Sequence, residues 1–396
     1  MNIKNRWLLP EGIDELLPEE AAQLEQLRRQ LIDMMQSWGY QLVMPPLVEY
    51  LDSLLTGTAK TLDLQTFKLI DQMSGRLLGI RADMTPQVAR IAAHKLRGQE
   101  SVSRLSYIGS VLHTLPEGQG TSRNPIQLGA EIYGHTGPES DMEILQLMVE
   151  VLNVTGAVPS LSLDIGHVGI YRGLAKFAGL NASQEQELFS ALQRKALPEI
   201  ESLLSDYQLS PESKTMLLAL SELNGDVSVL TRAQQLFENA PDDVKQALAN
   251  LQAVAEMAAQ RLPNITIHFD LAELRGYDYH TGLVFSAYQA GSAHAVAMGG
   301  RYDDIGEDFG YAQPATGFSL DLKTLVMQLP KSDTSKNVIA VIWSDDPTQQ
   351  IAVEKLRSEG EVVVYQLPGT ESSELRTLTQ QNGHWLVTEA GTESRG

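Results

Sequence analysis

The sequence predicts an α+β fold: an antiparallel sheet with flanking helices, a helical insertion, and a small C-terminal α/β module. Three observations predict it. Short β-branched and aromatic runs recur as hairpin arms instead of alternating regularly with helices. The stretch from about Tyr171 to Arg261 is rich in Ala, Leu, Gln and Glu, the composition of packed helices. A polar linker at residues 330–337 precedes a strand–helix–strand order. The expected domains are therefore a core over 1–329, with the insertion at about 171–261, and a second domain over 338–390.

The first helix starts at Pro18-Glu19-Glu20, since proline suits the first helical position and carboxylates meet the positive end of the dipole. Leu24, Leu27, Leu31, Met34 or Met35, and Trp38 recur at three- and four-residue steps as one apolar stripe. Gly39 stands where a C-terminal cap belongs. Residues 40–44 read as a strand that Pro45-Pro46 ends, because neither proline donates to a ladder. Strands are expected at 66–70 and 77–80, and a helix at 86–96. A long hairpin has arms at 104–113 and 127–133, and its loop holds Pro116, Gly118, Gly120 and Pro125. A strand at 161–165 lies between helical stretches, and strand signals return at 265–269, 282–288 and 293–298. Past the linker come a strand at 338–343, a helix at 347–359 and a strand at 362–365.

A chain of 396 residues with 43% apolar and 20% charged residues has the length and composition of a globular protein with one large core. Fifty acidic residues against 30 basic ones give a net charge of -20. A tRNA-binding surface covers many phosphates with Lys and Arg, so this balance argues against a broad nucleic-acid interface. With no cysteine, disulfides, thiolate metal sites and a Cys nucleophile are excluded, which fits a reducing cytoplasm. Residues 1–10 are too short and polar for a signal peptide, and no apolar run reaches membrane-spanning length. A soluble cytoplasmic protein with no membrane partner is expected.

Generic catalytic motifs are missing: no phosphate-binding G-x-x-x-x-G-K-[ST], no G-x-G-x-x-G after a strand, no H-E-x-x-H and no G-x-S-x-G. The eight histidines lack metal-ligand spacing, so no metal or cofactor is expected. Function must come from a constellation assembled from distant segments.

Four segments, in order, resemble the histidyl-tRNA synthetases, class II enzymes built on an antiparallel sheet. Residues 10–18 with Trp38-Gly39-Tyr40 and Pro45-Pro46 are similar to that family's dimer-forming motif 1. Ile80-Arg81-Ala82-Asp83-Met84-Thr85-Pro86 is similar to its R-P-E-G-T. Tyr107-Ile108-Gly109 through residues 127–134 resembles the motif 2 hairpin. Residues 274–282 and Gly299-Gly300-Arg301-Tyr302-Asp303 resemble the two histidine-specific segments. The likeness spans about residues 10–326.

Departures from the family pattern carry the functional reading. The motif 2 arginine that grips the α-phosphate of ATP is replaced by His113, the adenine-reading glutamate by Leu115, and the second arginine by Pro116. In motif 3, Thr324 stands for the γ-phosphate arginine and Asp321 for a glycine. Adenylate formation needs preorganised positive charge, and one such donor is worth about 3–4 kcal/mol. No arginine lies between Arg104 and Arg123, or between Arg301 and Arg357, so a small shift in alignment restores neither. No enzymatic ATP chemistry is expected.

What is retained resembles the family's histidine pocket. The resemblance implies Asp83, Thr85 and Gln127 for the α-amino group, Arg275 for the carboxylate, Glu131 for one ring nitrogen, and Tyr279 or His280 for the other. Gly299 and Gly300 would form a wall. The family usually has Glu at the position of Asp83 and Tyr at that of His280. The residues alone also admit structural roles: Glu131 as partner of Arg275, and Tyr279 as core.

A synthetase core stripped of ATP and tRNA functions resembles the regulatory subunits of ATP phosphoribosyltransferase. That resemblance implies a place in the first step of L-histidine biosynthesis, beside a short-form catalytic subunit that the chain activates and makes sensitive to feedback by histidine. It also implies dimers of the chain itself within a hetero-octamer of four regulatory and four catalytic chains. Two readings stay open: a synthetase-like sensor of tRNA, which needs a basic face, or of histidine, and an active histidyl-tRNA synthetase, which needs the missing arginines.

Overall fold

The computed structural model describes residues 7–56, 60–116, 121–156, 160–274, 276–277, 279–292, 294–307, 309–329, 338–370 and 376–389. The linker at 330–337, the loop glycines 118 and 120, and Arg275 lie outside the described residues. Two units divide the chain, Met1–Leu329 and Pro330–Gly396.

In the first unit, helix α1 (Pro18–Ser37) carries Glu19 and Glu20 in its first turn and buries Leu24, Leu27, Leu31 and Met35. Met35 takes the last apolar position because 31 and 35 lie one turn apart, while Met34 packs only partly against the same core. Gly39 ends the helix at φ +84°, a conformation glycine adopts without a Cβ penalty. The strand expected at 40–44 contracts to β1 (Gln41–Leu42). Beyond the prolines an unexpected strand, β2 (Val48–Tyr50), leads into helix α2 (Leu51–Leu54). Helix α3 (Lys60–Gln65), β3 (Phe67–Ile70) and β4 (Leu77–Ile80) complete a three-stranded sheet of order β2-β4-β3.

Helix α4 (Thr85–His94) leads to the hairpin of β5 (Ser103–Ser110) and β6 (Ile126–Tyr133), paired from Ser103 opposite Tyr133 to Ser110 opposite Ile126. Then follow α5 (Pro138–Val154), β7 (Leu161–His167) and α6 (Val168–Phe177). The insertion contributes α7 (Ala182–Gln193), α8 (Leu197–Asp206), α9 (Pro211–Leu220), the short β8 (Asn224–Gly225), α10 (Ser228–Leu236) and α11 (Asp242–Arg261). Strands β9 (Thr266–Asp270), β10 (Leu283–Gln289), β11 (Ala297–Arg301) and β12 (Ala315–Asp321), then helix α12 (Leu322–Gln328), close the unit.

A nine-stranded sheet of order β1-β5-β6-β12-β11-β10-β7-β9-β8 results. Among the described residues, only its β1–β5 and β7–β9 pairs are parallel. Leu188, Leu192, Leu217 and Leu251 of the insertion belong to the same buried cluster as Leu163 and Ile165 of β7. The insertion therefore packs into the main core instead of building its own, as non-directional burial of apolar surface favours.

In the second unit, β13 (Val338–Ile342), helix α13 (Pro347–Ser358) and β14 (Val362–Gln366) are joined by β15 (Arg376–Gln381) and β16 (His384–Glu389), in the order β14-β13-β15-β16. The last two strands were not expected. Their two-residue loop is Asn382-Gly383, with φ of 51° and 80°, the positive pair that a type I′ hairpin requires. Ile339, Val341, Val353, Val363 and Leu378 form the core of this unit. No helix among the described residues is long and apolar enough to cross a membrane.

Candidate functional site

The site starts at the turn after β4. Arg81 is buried, and its guanidinium donates to the carbonyls of Ser110 (2.8 Å) and Pro45 (2.7 Å). These bonds fix the turn that delivers Asp83 and Thr85. Asp83 Oδ1 accepts from the Thr85 amide (2.9 Å) and from Gln127 Nε2 (2.7 Å), while Gln127 Oε1 accepts from the Met84 amide (2.8 Å). Gln127 thus stands behind Asp83 and orients it, and does not itself line the cavity.

Strand β6 places Glu131 at 1% exposure in the lining of the cavity. Tyr107 Oη donates to Glu131 Oε1 (2.9 Å), and Tyr302 Oη donates to Oε2. Thr85 Oγ1 lies 2.9 Å from Tyr107 Oη, so Thr85 and Glu131 belong to one hydrogen-bonded chain. Burial pushes the Glu131 carboxyl up to about 8, against the pull of the bonds from Tyr302 and Tyr107. Gly317, opposite Glu131 on β12, makes room for this carboxylate, because a methyl group there would collide with Glu131 Oε2 and Cδ. Gly299 is bounded likewise, with Phe318 Cα 2.7 Å from where its Cβ would stand. Gly317→Ala is expected to cost about 1–3 kcal/mol by overpacking. A lowered denaturation midpoint checks this.

The loop after Leu274 supplies the opposite wall. The amides of Tyr279 and His280 both donate to the Gly276 carbonyl, at 2.8 and 2.7 Å, in a tight turn with Gly276 at φ +68°. The Tyr279 ring stacks on Tyr302 at 5.0 Å and meets the His280 ring edge-on at 5.5 Å. Its buried hydroxyl has no hydrogen-bond partner among the described residues. A buried hydroxyl left in that state is costly.

Asp83, Thr85, Glu131, Tyr279 and His280 all line one cavity of about 190 Å³, with Glu273, Tyr302 and the glycines 276, 299 and 317. This is below the roughly 300–1,000 Å³ of drug-sized pockets. The carboxyl groups of Asp83, Glu131 and Glu273 face it and, among the described residues, no Lys or Arg does. The arrangement suits a small cationic or N–H-rich ligand. Tyr107, Tyr302 and Glu273 were given no role in the sequence reading. The two tyrosines lie in quoted motifs, but their partner is 24 and 171 residues away, so only the sheet pairing reveals them.

His113, Asp321, Lys323 and Arg301 are each held in structural contacts. His113 Nε2 lies 2.9 Å from the Ala82 carbonyl, and its backbone bridges Thr66. Asp321 caps α12 through the Lys323 amide (3.0 Å) and accepts from the Ile126 amide (3.0 Å). Lys323, 3% exposed, is held by the Asp14 carboxylate (2.9 Å) and the Asp14 carbonyl (3.1 Å). Arg301 is buried against Asp141 (2.9 Å), Ser140 Oγ (2.8 Å) and the His135 carbonyl (3.0 Å).

Known proteins bear on this geometry. Residues 12–325 match the histidyl-tRNA synthetase family profile, and residues 336–388 match that of the C-terminal domain of the ATP phosphoribosyltransferase subunit HisZ. An ATP phosphoribosyltransferase regulatory subunit of Alkalilimnicola ehrlichii is 55% identical over 392 residues, covering 97% of each chain. That of Nitrosococcus oceani is 53% identical over 401 aligned positions, covering 100% of each. A crystal structure from Bacillus halodurans, described as an ATP phosphoribosyltransferase regulatory subunit/histidyl-tRNA synthetase, superposes with a TM-score of 0.82 at 28% identity, over 93% of this chain and 95% of that one. The histidyl-tRNA synthetase of Nostoc sp. PCC 7120 shares the fold, with a TM-score of 0.78 at 18% identity over 97% of each chain. Built on the fold of a histidyl-tRNA synthetase, the chain belongs to the ATP phosphoribosyltransferase regulatory subunits.

Proposed function

We propose that this chain is a non-catalytic partner of a short-form ATP phosphoribosyltransferase catalytic subunit, and that its cavity takes L-histidine as the feedback signal. The acidic cavity carries the reading: Glu131 clasped by Tyr107 and Tyr302, with the Tyr279 hydroxyl left for a ligand. The ligand ammonium meets Asp83 and Thr85, with Gln127 steadying Asp83. The imidazole donates to Glu131, and Tyr279 or His280 meets its other nitrogen. Arg275 pairs the ligand carboxylate. Loss of ATP chemistry follows from His113 and Thr324 standing where the phosphate-binding arginines are expected, with Asp321 adding negative charge.

The residues resembling motif 1 hold two copies together, within a hetero-octamer of four regulatory and four catalytic chains. The chain raises the partner's rate, and histidine lowers it by binding one state of the complex more tightly, a coupling typically of about 1–3 kcal/mol. The net charge of -20 supports a role without nucleic acid.

Calorimetric titration with L-histidine tests the pocket. Saturable binding is expected for the natural chain, and Arg275→Ala is expected to weaken it by about 2–5 kcal/mol, because the ligand carboxylate loses its charge partner. An unchanged affinity in Arg275→Ala overturns the assignment of that residue. No binding to the natural chain overturns the pocket.

A further inference from the structure

The turn that presents Tyr279 and His280 to the cavity also faces away from it. Tyr277, two residues before Tyr279, is 7% exposed and points into the helical insertion. Its hydroxyl donates to Glu185 Oε1 on α7. Its ring lies 5.1 Å from Phe189 on α7 and 5.5 Å from Tyr171 on α6. The Tyr171 hydroxyl in turn donates to the Glu185 carbonyl at 2.6 Å. Arg172 on α6 straddles the turn: Nη2 donates to the carbonyls of Tyr277 (3.0 Å) and His280 (3.2 Å), and its guanidinium sits 4.9 Å from the Tyr277 ring centroid.

Three properties make this a linkage and not only packing. The turn is closed by hydrogen bonds, because the amides of Tyr279 and His280 share the Gly276 carbonyl. One arginine holds both the outward Tyr277 and the inward His280. Helix α6 is also seated tightly on α11, where a methyl group at Gly173 would stand 2.5 Å from Val244 Cγ2. Displacement of Tyr279 and His280 therefore loads α6 and α7 directly. Packed interiors pass such shifts on as discrete rearrangements, since they have little free volume to absorb them.

We propose that Tyr277 couples occupancy of the cavity to the helical insertion, so that a ligand held by Tyr279 and His280 tightens α6 and α7 through the Tyr277–Glu185 hydrogen bond. This rests on the histidine-pocket reading and assigns the insertion a regulatory role. Tyr277 is a positioning residue here, acting through the turn and not on the ligand.

Hydrogen–deuterium exchange of the full chain, with and without saturating L-histidine, tests it. In the natural chain, histidine is expected to slow exchange in β6 and also in α7 by about 5-fold or more, the lower end of allosteric coupling. Tyr277→Phe keeps the ring packing and removes only the hydroxyl. This variant is expected to keep the protection of β6 and lose that of α7, and Glu185→Gln, which weakens the same bond from the other side, is expected to shift α7 in the same direction. Protection of β6 with α7 unchanged in the natural chain overturns the coupling alone, as does a Tyr277→Phe variant that behaves like the natural chain. No protection anywhere, with no heat in the calorimeter, overturns the pocket reading and the coupling with it.

Discussion

Replacing Arg301 with methionine is expected to cost about 3–5 kcal/mol of folding stability. Arg301 is 5% exposed and Asp141 is fully buried, so the change strands a carboxylate that burial already pushes above its usual range. The bonds to Ser140 Oγ and to the His135 and Gly137 carbonyls are lost in the same step. Those contacts anchor the end of β11 to the start of α5, just before Tyr302 reaches Glu131. Histidine binding is therefore expected to weaken together with stability. Replacing both partners, as Arg301→Met with Asp141→Leu, is expected to recover part of the loss, because an apolar pair leaves no unpaired charge. Denaturant midpoints for the two variants check this. A loss under about 1 kcal/mol for the single variant contradicts a buried ion pair of this kind.

Glu131→Gln is expected to change the dependence of stability on pH. The Glu131 carboxyl rises from an ordinary value of 4.5 to about 8, because burial disfavours its charged form. The folded chain then holds a proton that the unfolded chain releases between those values. The contribution of this residue is full below about pH 4.5 and is lost as pH rises through about 8. Relative to the natural chain, Glu131→Gln is expected to gain stability as pH rises from 4.5 to about 8, with the difference level above that. Gln keeps an acceptor oxygen for one of the two tyrosine hydroxyls, presents an amide N–H to the other, and has no charge to desolvate. A stability difference that stays flat with pH contradicts the assignment. The same cluster shapes binding. With L-histidine in the cavity as proposed, one proton would be shared near neutrality between Glu131 and the ligand imidazole. Below the ordinary imidazole value of about 6.5 both groups carry one, so histidine affinity is expected to fall as the solution is made acidic.

These expectations rest on parts of the molecule that were unequally legible in the sequence. The helix α1 was plain because its apolar residues repeat with the helical period. The hairpin of β5 and β6 was plain because its arms are β-branched and aromatic and its loop is rich in Pro and Gly. Strand β12 was read only as a motif, since Gly317 and Ser319 interrupt any strand pattern, and the reason for Gly317 is the Glu131 carboxylate on the neighbouring strand. Strand β11 was expected at 293–298 and is found at Ala297–Arg301, because Gly299 and Gly300 serve close backbone approach and not a turn. The hairpin of β15 and β16 was legible and overlooked: Asn382-Gly383 between alternating residues is a strong local turn signal.

At the candidate site, Asp83, Thr85, Glu131, Tyr279 and His280 were named from motif likeness, and the structure brings them to one cavity. The tyrosine clasp on Glu131 and the Tyr277–Glu185 link were not legible. Each joins residues far apart in the chain and depends on strand register or helix packing that no local pattern encodes.

The most direct test of the account is phosphoribosyl-ATP formation by a short-form catalytic chain, measured with and without this protein across a histidine titration. The account predicts a higher rate with the protein present and inhibition by histidine that requires it, with inhibition lost in Arg275→Ala. A rate and a histidine response that are the same with and without the protein contradict it.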